Sequence, residues 1–155
     1  LAFVRPFRTG MSNYDSIEFV REDIIAVLPK NHPLAQESLI PLASLKNDPM
    51  ILIGEQAELH YVCMQLCQKT GFTPASRFNG LRPDNILALV SLNMGVALLS
   101  QNFYEYYKRE NTVGVRIMPT ASTSIRLIRK KGHKLSRPAQ AFWDFIKKDS
   151  KNTHK

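Results

Sequence analysis

Four points in this chain join a polar or charged side chain to backbone of the kind that binds anions. Arg5-Pro6 follows the apolar run Leu1-Ala2-Phe3-Val4, and Gly54-Glu55-Gln56 follows Met50-Ile51-Leu52-Ile53. Arg82-Pro83 precedes a helical pattern, and Ser100-Gln101-Asn102 follows Val96-Ala97-Leu98-Leu99. In open α/β sheets, ligands bind beyond the carboxyl ends of strands, where helix N-termini aim amide donors at them. A guanidinium at such an end can hold a carboxylate through two parallel, charge-assisted hydrogen bonds, so Arg5 leads the candidates. The competing reading pairs Arg5 with an acid of its own protein. Arg82 has that alternative close at hand in Asp84. Glu55 and Gln56 suit the polar or cationic end of a ligand, unless Glu55 only favours the start of the following helix. Ser100 either offers its hydroxyl to a ligand or caps the helix that begins at Gln101. The ligand-binding candidates are therefore Arg5, Pro6, Gly54, Glu55, Gln56, Arg82, Pro83 and Ser100.

Other chemistries find no constellation. His32, His60, His133 and His154 stand apart, with no pair at helical ligand spacing, so no metal site is expected. The glycines at 54, 71, 80 and 95 are isolated, which argues against a phosphate-binding loop and against a nucleotide cofactor. No G-x-S-x-G elbow occurs and no acid, base and nucleophile gather at a readable spacing, so no catalytic residue is assigned. Cys63 and Cys67, four apart on a helix, would hold their Cβ atoms about 5–6 Å apart. A disulfide wants about 3.5–4.5 Å, so a bridge would require the helix to distort, and Cys63, on the apolar stripe, is expected to be a small core hydrophobe.

The elements that must position these groups are legible from periodicity. Leu1–Val4, Ile17–Val20, Ile24–Leu28, Met50–Ile53, Ser76–Asn79, Val96–Leu99, Val113–Met118 and Ile125–Arg129 read as strands. Leu59, Val62, Cys63, Leu66 and Thr70 share one helical face, closed by Gly71 as a left-handed cap with Phe72 as its apolar contact. Pro83 and Asp84 open a second helix carrying Ile86, Leu89, Val90 and Asn93, with Gly95 at the expected cap. Gln101–Arg109 reads as a third helix, and Ser136 caps a last one carrying Ala139, Phe142, Phe145 and Ile146. Strands alternating with helices predict a parallel α/β architecture.

The chain has 155 residues and a formal net charge of +8. That excess sits after Ile125, with ten basic and two acidic residues, while the first 125 residues balance at eleven against eleven. Such a tail-weighted distribution is not a nucleic-acid-binding face. No apolar run approaches a membrane span, and Arg5 interrupts Leu1–Val4 too early for a secretory segment, so a cytoplasmic protein is expected. Leu1–Val4 begins without any lead-in and reads as the start of a fragment. On that reading Phe3, Leu127 and Phe142 would lack covering partners.

Asn31-His32-Pro33-Leu34-Ala35 and the run Asn85–Ser100 (NILALVSLNMGVALLS) carry a resemblance to the effector-binding domain of LysR-type transcriptional regulators. Leu1–Arg5, Leu39–Leu45, Pro49-Met50-Ile51 and Gly71-Phe72-Thr73-Pro74 follow in the family's order. The resemblance implies a two-lobed, periplasmic-binding-protein-like (type II) α/β fold, N-terminally incomplete. Residues 1–20 would form part of the first lobe, 21–121 the second, and 122–155 the return to the first. It implies a small anionic effector in the cleft, held by Arg5 among others. It further implies a homodimer or tetramer in the intact protein, which contacts DNA only through a separate N-terminal winged helix-turn-helix. The family's peroxide-sensing branch uses two cysteines, but Cys63 lies too near Cys67 to mimic that pair. Asn93 and Ser100 stand where a glycine and a proline are common. The alternative reading is an exported solute-binding protein for transport, and an enzyme using the cleft is the third.

Overall fold

The computed structural model describes residues 1–5 and 11–152; Pro6, Gly10 and His154 fall outside them. The chain divides into two compact units, Leu1–Arg21 with Ser124–Lys155, and Glu22–Thr123. It passes between them twice, along strands β2 (Tyr14–Pro29) and β8 (Ser122–Lys130).

In the first unit β1 (Ala2–Val4) runs antiparallel to β8, pairing Phe3 with Leu127 and Val4 with Arg126. Helix α4 (Arg137–Asn152) begins where the Ser136 hydroxyl accepts the Ala139 amide at 3.4 Å, as its N-cap position predicts. Alternation along β8 turns Leu127 inward, into a small core with Ile17, Trp143 and Ile146. Leu127 therefore has the cover that the sequence seemed to deny it, whereas Phe3 and Phe142 remain partly exposed with rings 6.3 Å apart. Arg129 lies 4.5 Å over the Trp143 ring while its Nε donates to Asp15 at 2.9 Å.

The second unit holds β3 (Leu39–Pro41), β4 (Met50–Ile53), α1 (Glu58–Lys69), β5 (Ser76–Leu81) and α2 (Pro83–Ser91). It continues through β6 (Ala97–Ser100), α3 (Gln101–Tyr107) and β7 (Thr112–Met118). Helices and strands share one core, including Leu28, Ile40, Leu45, Ile51, Ile86 and Leu99.

Three expectations need correction. The two strands foreseen between Ile17 and Leu28 are one 16-residue strand. The charged stretch Arg21-Glu22-Asp23 looks like a turn but supplies no glycine, proline or asparagine to reverse the backbone. The sheet is mixed rather than parallel, because β2 pairs antiparallel with both β6 and β7. Among the described residues, β4–β5, β3–β7 and the Met50–Val96 bridge are the parallel pairings.

Finally, the left-handed cap of α2 is Asn93, with φ 61°, not Gly95. The Asn93 amide donates to the Val90 carbonyl at 2.9 Å and the Met94 amide to Leu89 at 3.1 Å, a Schellman closure. Asparagine tolerates this conformation better than most residues, which is why no glycine is needed there. Gly95, with φ 155°, is required on two counts: L side chains rarely adopt that backbone conformation, and a Cβ there would collide with the Pro49 carbonyl oxygen. Gly71, with φ 89°, caps α1 as foreseen, through Gly71 N–H to Gln68 at 3.1 Å and Phe72 N–H to Cys67 at 3.1 Å.

The Asn31–Ala35 turn is pinned by its histidine. The Leu34 amide donates to His32 Nδ1 at 3.1 Å, so the proton sits on Nε2 and is donated to Asp48 at 3.2 Å.

Candidate functional site

Within the second unit, three of the junctions share one edge. Ile53 stands opposite Leu81 in the parallel pairing of β4 with β5, and Met50 bridges Val96 in parallel. The Ile51 amide reaches the Val96 carbonyl at 2.8 Å, and the Val96 amide reaches Pro49 at 2.9 Å. Strands β4, β5 and β6 therefore end in the same direction, and α1, α2 and α3 each start from that end. Gly54 follows the end of β4 and Ser100 ends β6. Gly54–Gln56, Arg82–Pro83 and Ser100 thus line the carboxyl edge, where first-turn amides face outward.

The Gly54–Gln56 loop is a braced turn. The Ala57 amide donates to the Gly54 carbonyl at 2.8 Å, and His60 Nδ1 donates to the Ile53 carbonyl at 2.8 Å. A carbonyl only accepts, so the His60 proton is on Nδ1. Glu55 and Gln56 are exposed on this turn. The N-cap of α1 is Ala57, which makes no side-chain cap bond, leaving the first-turn amides to other partners. Glu58 follows, and its Oε2 accepts a hydrogen bond from the Thr123 hydroxyl at 3.1 Å.

Arg82 is extended, with φ −72° and ψ 149°, and its side chain is 85% exposed with Nε 3.5 Å from Asp84. Its ion pair is thus a loose surface contact. Pro83 occupies the first turn of α2, where its missing donor costs nothing. Ser100 is 3% exposed and makes no side-chain cap bond to α3. The capping alternative for its hydroxyl is thereby removed. Arg5 stands after β1 in the other unit, half-buried and already engaged with groups of the protein. Pro6 lies outside the described residues.

Sequence reasoning missed the braces. His60 read only as a histidine near a helix start, and nothing linked Glu58 to Thr123 across 65 residues. No local pattern marks either contact, because both depend on tertiary approach.

The thiols are inert by position. Cys63 and Cys67 are free and buried, and Cys63 donates weakly to the Leu98 carbonyl at 3.8 Å. Burial, with lesser repulsion from Cys67 and Glu58, pushes the Cys63 thiol far above its ordinary range. Burial raises Cys67 to about 11. Among the described residues no three His, Cys, Asp or Glu gather as a metal site. No described helix is long and apolar enough to cross a membrane. A hollow of about 400 Å³ beside α1, walled by Val62, Leu66, Pro119 and Ala121, includes none of the junction residues.

Comparison with known proteins settles the family. Residues 1–151 match the LysR substrate binding domain. The chain belongs to that family. Its members are parts of regulators, not enzymes. The transcriptional dual regulator GltC of Bacillus subtilis (strain 168) is 31% identical over 147 residues, covering 94% of this chain and 49% of GltC. The chain spans about half the length of such curated relatives. The regulatory domain of CcmR from Synechocystis PCC6803, solved with 2-PG, superposes with TM-score 0.84 at 19% identity. That match covers 97% of this chain and 73% of the CcmR domain. The effector-binding domain of QuiR, solved with shikimate, gives 0.84 at 20% identity, covering 97% of this chain and 71% of that domain. The fold is thus the mixed α/β, periplasmic-binding-protein-like type II fold of LysR effector-binding domains.

Proposed function

We propose that this LysR-family domain binds a small anionic effector, and that Arg5, Gly54–Gln56, Arg82–Pro83 and Ser100 take part in its recognition. In the intact regulator, a homodimer or tetramer, occupancy then governs transcription through a separate winged helix-turn-helix that reads DNA. The observation that carries the reading is the shared edge of β4, β5 and β6, onto which α1 and α2 open their uncapped first turns. The hydroxyl of Ser100, which makes no cap bond to α3, adds a polar group at the same edge. That CcmR was solved with 2-PG and QuiR with shikimate supports a small-molecule effector here as well.

A thermal-shift panel of small carboxylates tests it. A ligand present at a hundredfold excess over its Kd adds about 2.7 kcal/mol of stability. At least one carboxylate should raise Tm, and Arg5→Ala and Ser100→Ala should each reduce the rise. A rise that survives both substitutions removes these residues from the site, and a panel without any stabiliser overturns the anionic reading.

A further inference from the structure

The Glu58–Thr123 hydrogen bond lies apart from the apolar face of α1, which is formed by Leu59, Cys63 and Leu66. Its two ends are nevertheless at telling places. Glu58 is the first residue of α1, directly after the braced Gly54–Ala57 turn. Thr123, 5% exposed, is the last residue of its unit, on the strand by which the chain leaves it. Two residues earlier the Ala121 carbonyl accepts the Ile24 amide at 2.8 Å, which ties the outgoing strand to β2, where the chain entered. Glu22, 7% exposed, lies at that entry. A carboxylate accepting from a hydroxyl in such surroundings makes a charge-assisted bond that is stronger than a neutral one.

We propose that the Glu58–Thr123 bond is a regulatory tether, coupling the Gly54–Gln56 loop to the crossing strand so that a ligand engaging the loop changes the strand's freedom. Glu58 and Thr123 are positioning residues here. The regulatory part rests on the ligand reading above, whereas the coupling itself is measurable without any ligand. Linkage makes the coupling reciprocal: whatever loosens the strand at Thr123 must loosen the loop, and the converse.

Amide hydrogen exchange on the 155-residue chain, in plain buffer, reads both directions. Thr123→Val keeps the shape and removes the hydroxyl. It should speed exchange about tenfold at residues 54–60, the factor set by a hydrogen bond to a charged group. Glu58→Ala should do the same at residues 121–125. Thr123→Ser and Glu58→Gln, which keep donor and acceptor, should restore slow exchange, a rescue that a mere packing role would not give. Should one of the breaking variants fail to fold, the other decides alone. Unchanged exchange at the far end, or acceleration spread evenly through Glu22–Thr123, overturns the tether. A carboxylate panel that finds no stabiliser would overturn the proposed function while leaving this result standing.

Discussion

Gly95→Ala should be among the most damaging small substitutions in the chain, and the structure says how damaging. An added Cβ would overlap the Pro49 carbonyl oxygen and come within 3.2 Å of Ile51 Cγ1. That same carbonyl accepts the Val96 amide at 2.9 Å, and Val96 in turn accepts from Ile51 at 2.8 Å. Backbone against backbone cannot yield as a flexible side chain does, so relief means parting β4 from β6. Losing two buried backbone bonds at about 0.5–1.5 kcal/mol each, with overpacking of about 1–3 kcal/mol, gives a cost of about 2–6 kcal/mol. For a chain of this size, that lowers Tm by about 4–24 °C. Gly71→Ala is the control: its φ of 89° is left-handed, but nothing lies within 4 Å of an added Cβ. That change costs only the conformational strain of about 1–2 kcal/mol. Both positions carry positive-φ strain, so the difference between the circular dichroism melts of the two variants reads the cost of close approach at 95. A Gly95→Ala melt at or above that of Gly71→Ala would refute the argument that close approach to Pro49 adds to the positive-φ strain that both positions share.

Three further outcomes follow from the same coordinates. Asn93→Gly should leave stability within a few tenths of a kcal/mol of the parent, while Asn93→Ala should cost about 1 kcal/mol, both measurable by urea denaturation. Cys63 and Cys67 should resist thiol-specific labelling at pH 8 in the folded chain and react once it is unfolded in guanidinium. Because burial raises both thiols, the folded state holds protons that the unfolded state releases above about pH 8.5. Stability should therefore fall as pH rises from there through about 11, where Cys67 ionises in the folded chain, and a Cys63→Ala, Cys67→Ala double variant should flatten that decline.

Element existence was legible wherever side-chain period and backbone preference agree. The Leu59, Cys63 and Leu66 stripe with Gly71 behind it specifies α1 and its cap almost alone. Pro83 and Asp84 do the same for the start of α2. Strand direction was not legible, because a fully buried strand reads as an apolar run whichever way its neighbours point. Val96–Leu99 looked like a member of a parallel sheet; it has a parallel bridge to Met50 on one side and lies antiparallel to β2 on the other. The cap at Asn93 was passed over because glycine is the stronger signal, yet Gly95 answers to a contact with Pro49, 46 residues away. At the candidate site, strand ends and helix starts could be read from sequence, so the positions of Gly54, Pro83 and Ser100 along one edge follow from it once register is known. The exposure of Arg82, the uncommitted hydroxyl of Ser100 and the bracing of the loop by His60 could not, since each is decided by groups distant in the chain.

The most direct measurement is a titration of the 155-residue chain with its best-stabilising carboxylate, followed through backbone amide shifts by 15N NMR. The account predicts that the largest changes fall on residues 54–58, 82–86 and 100–102, together with Arg5. Changes gathered instead around Val62, Leu66 and Pro119, beside α1, would contradict it.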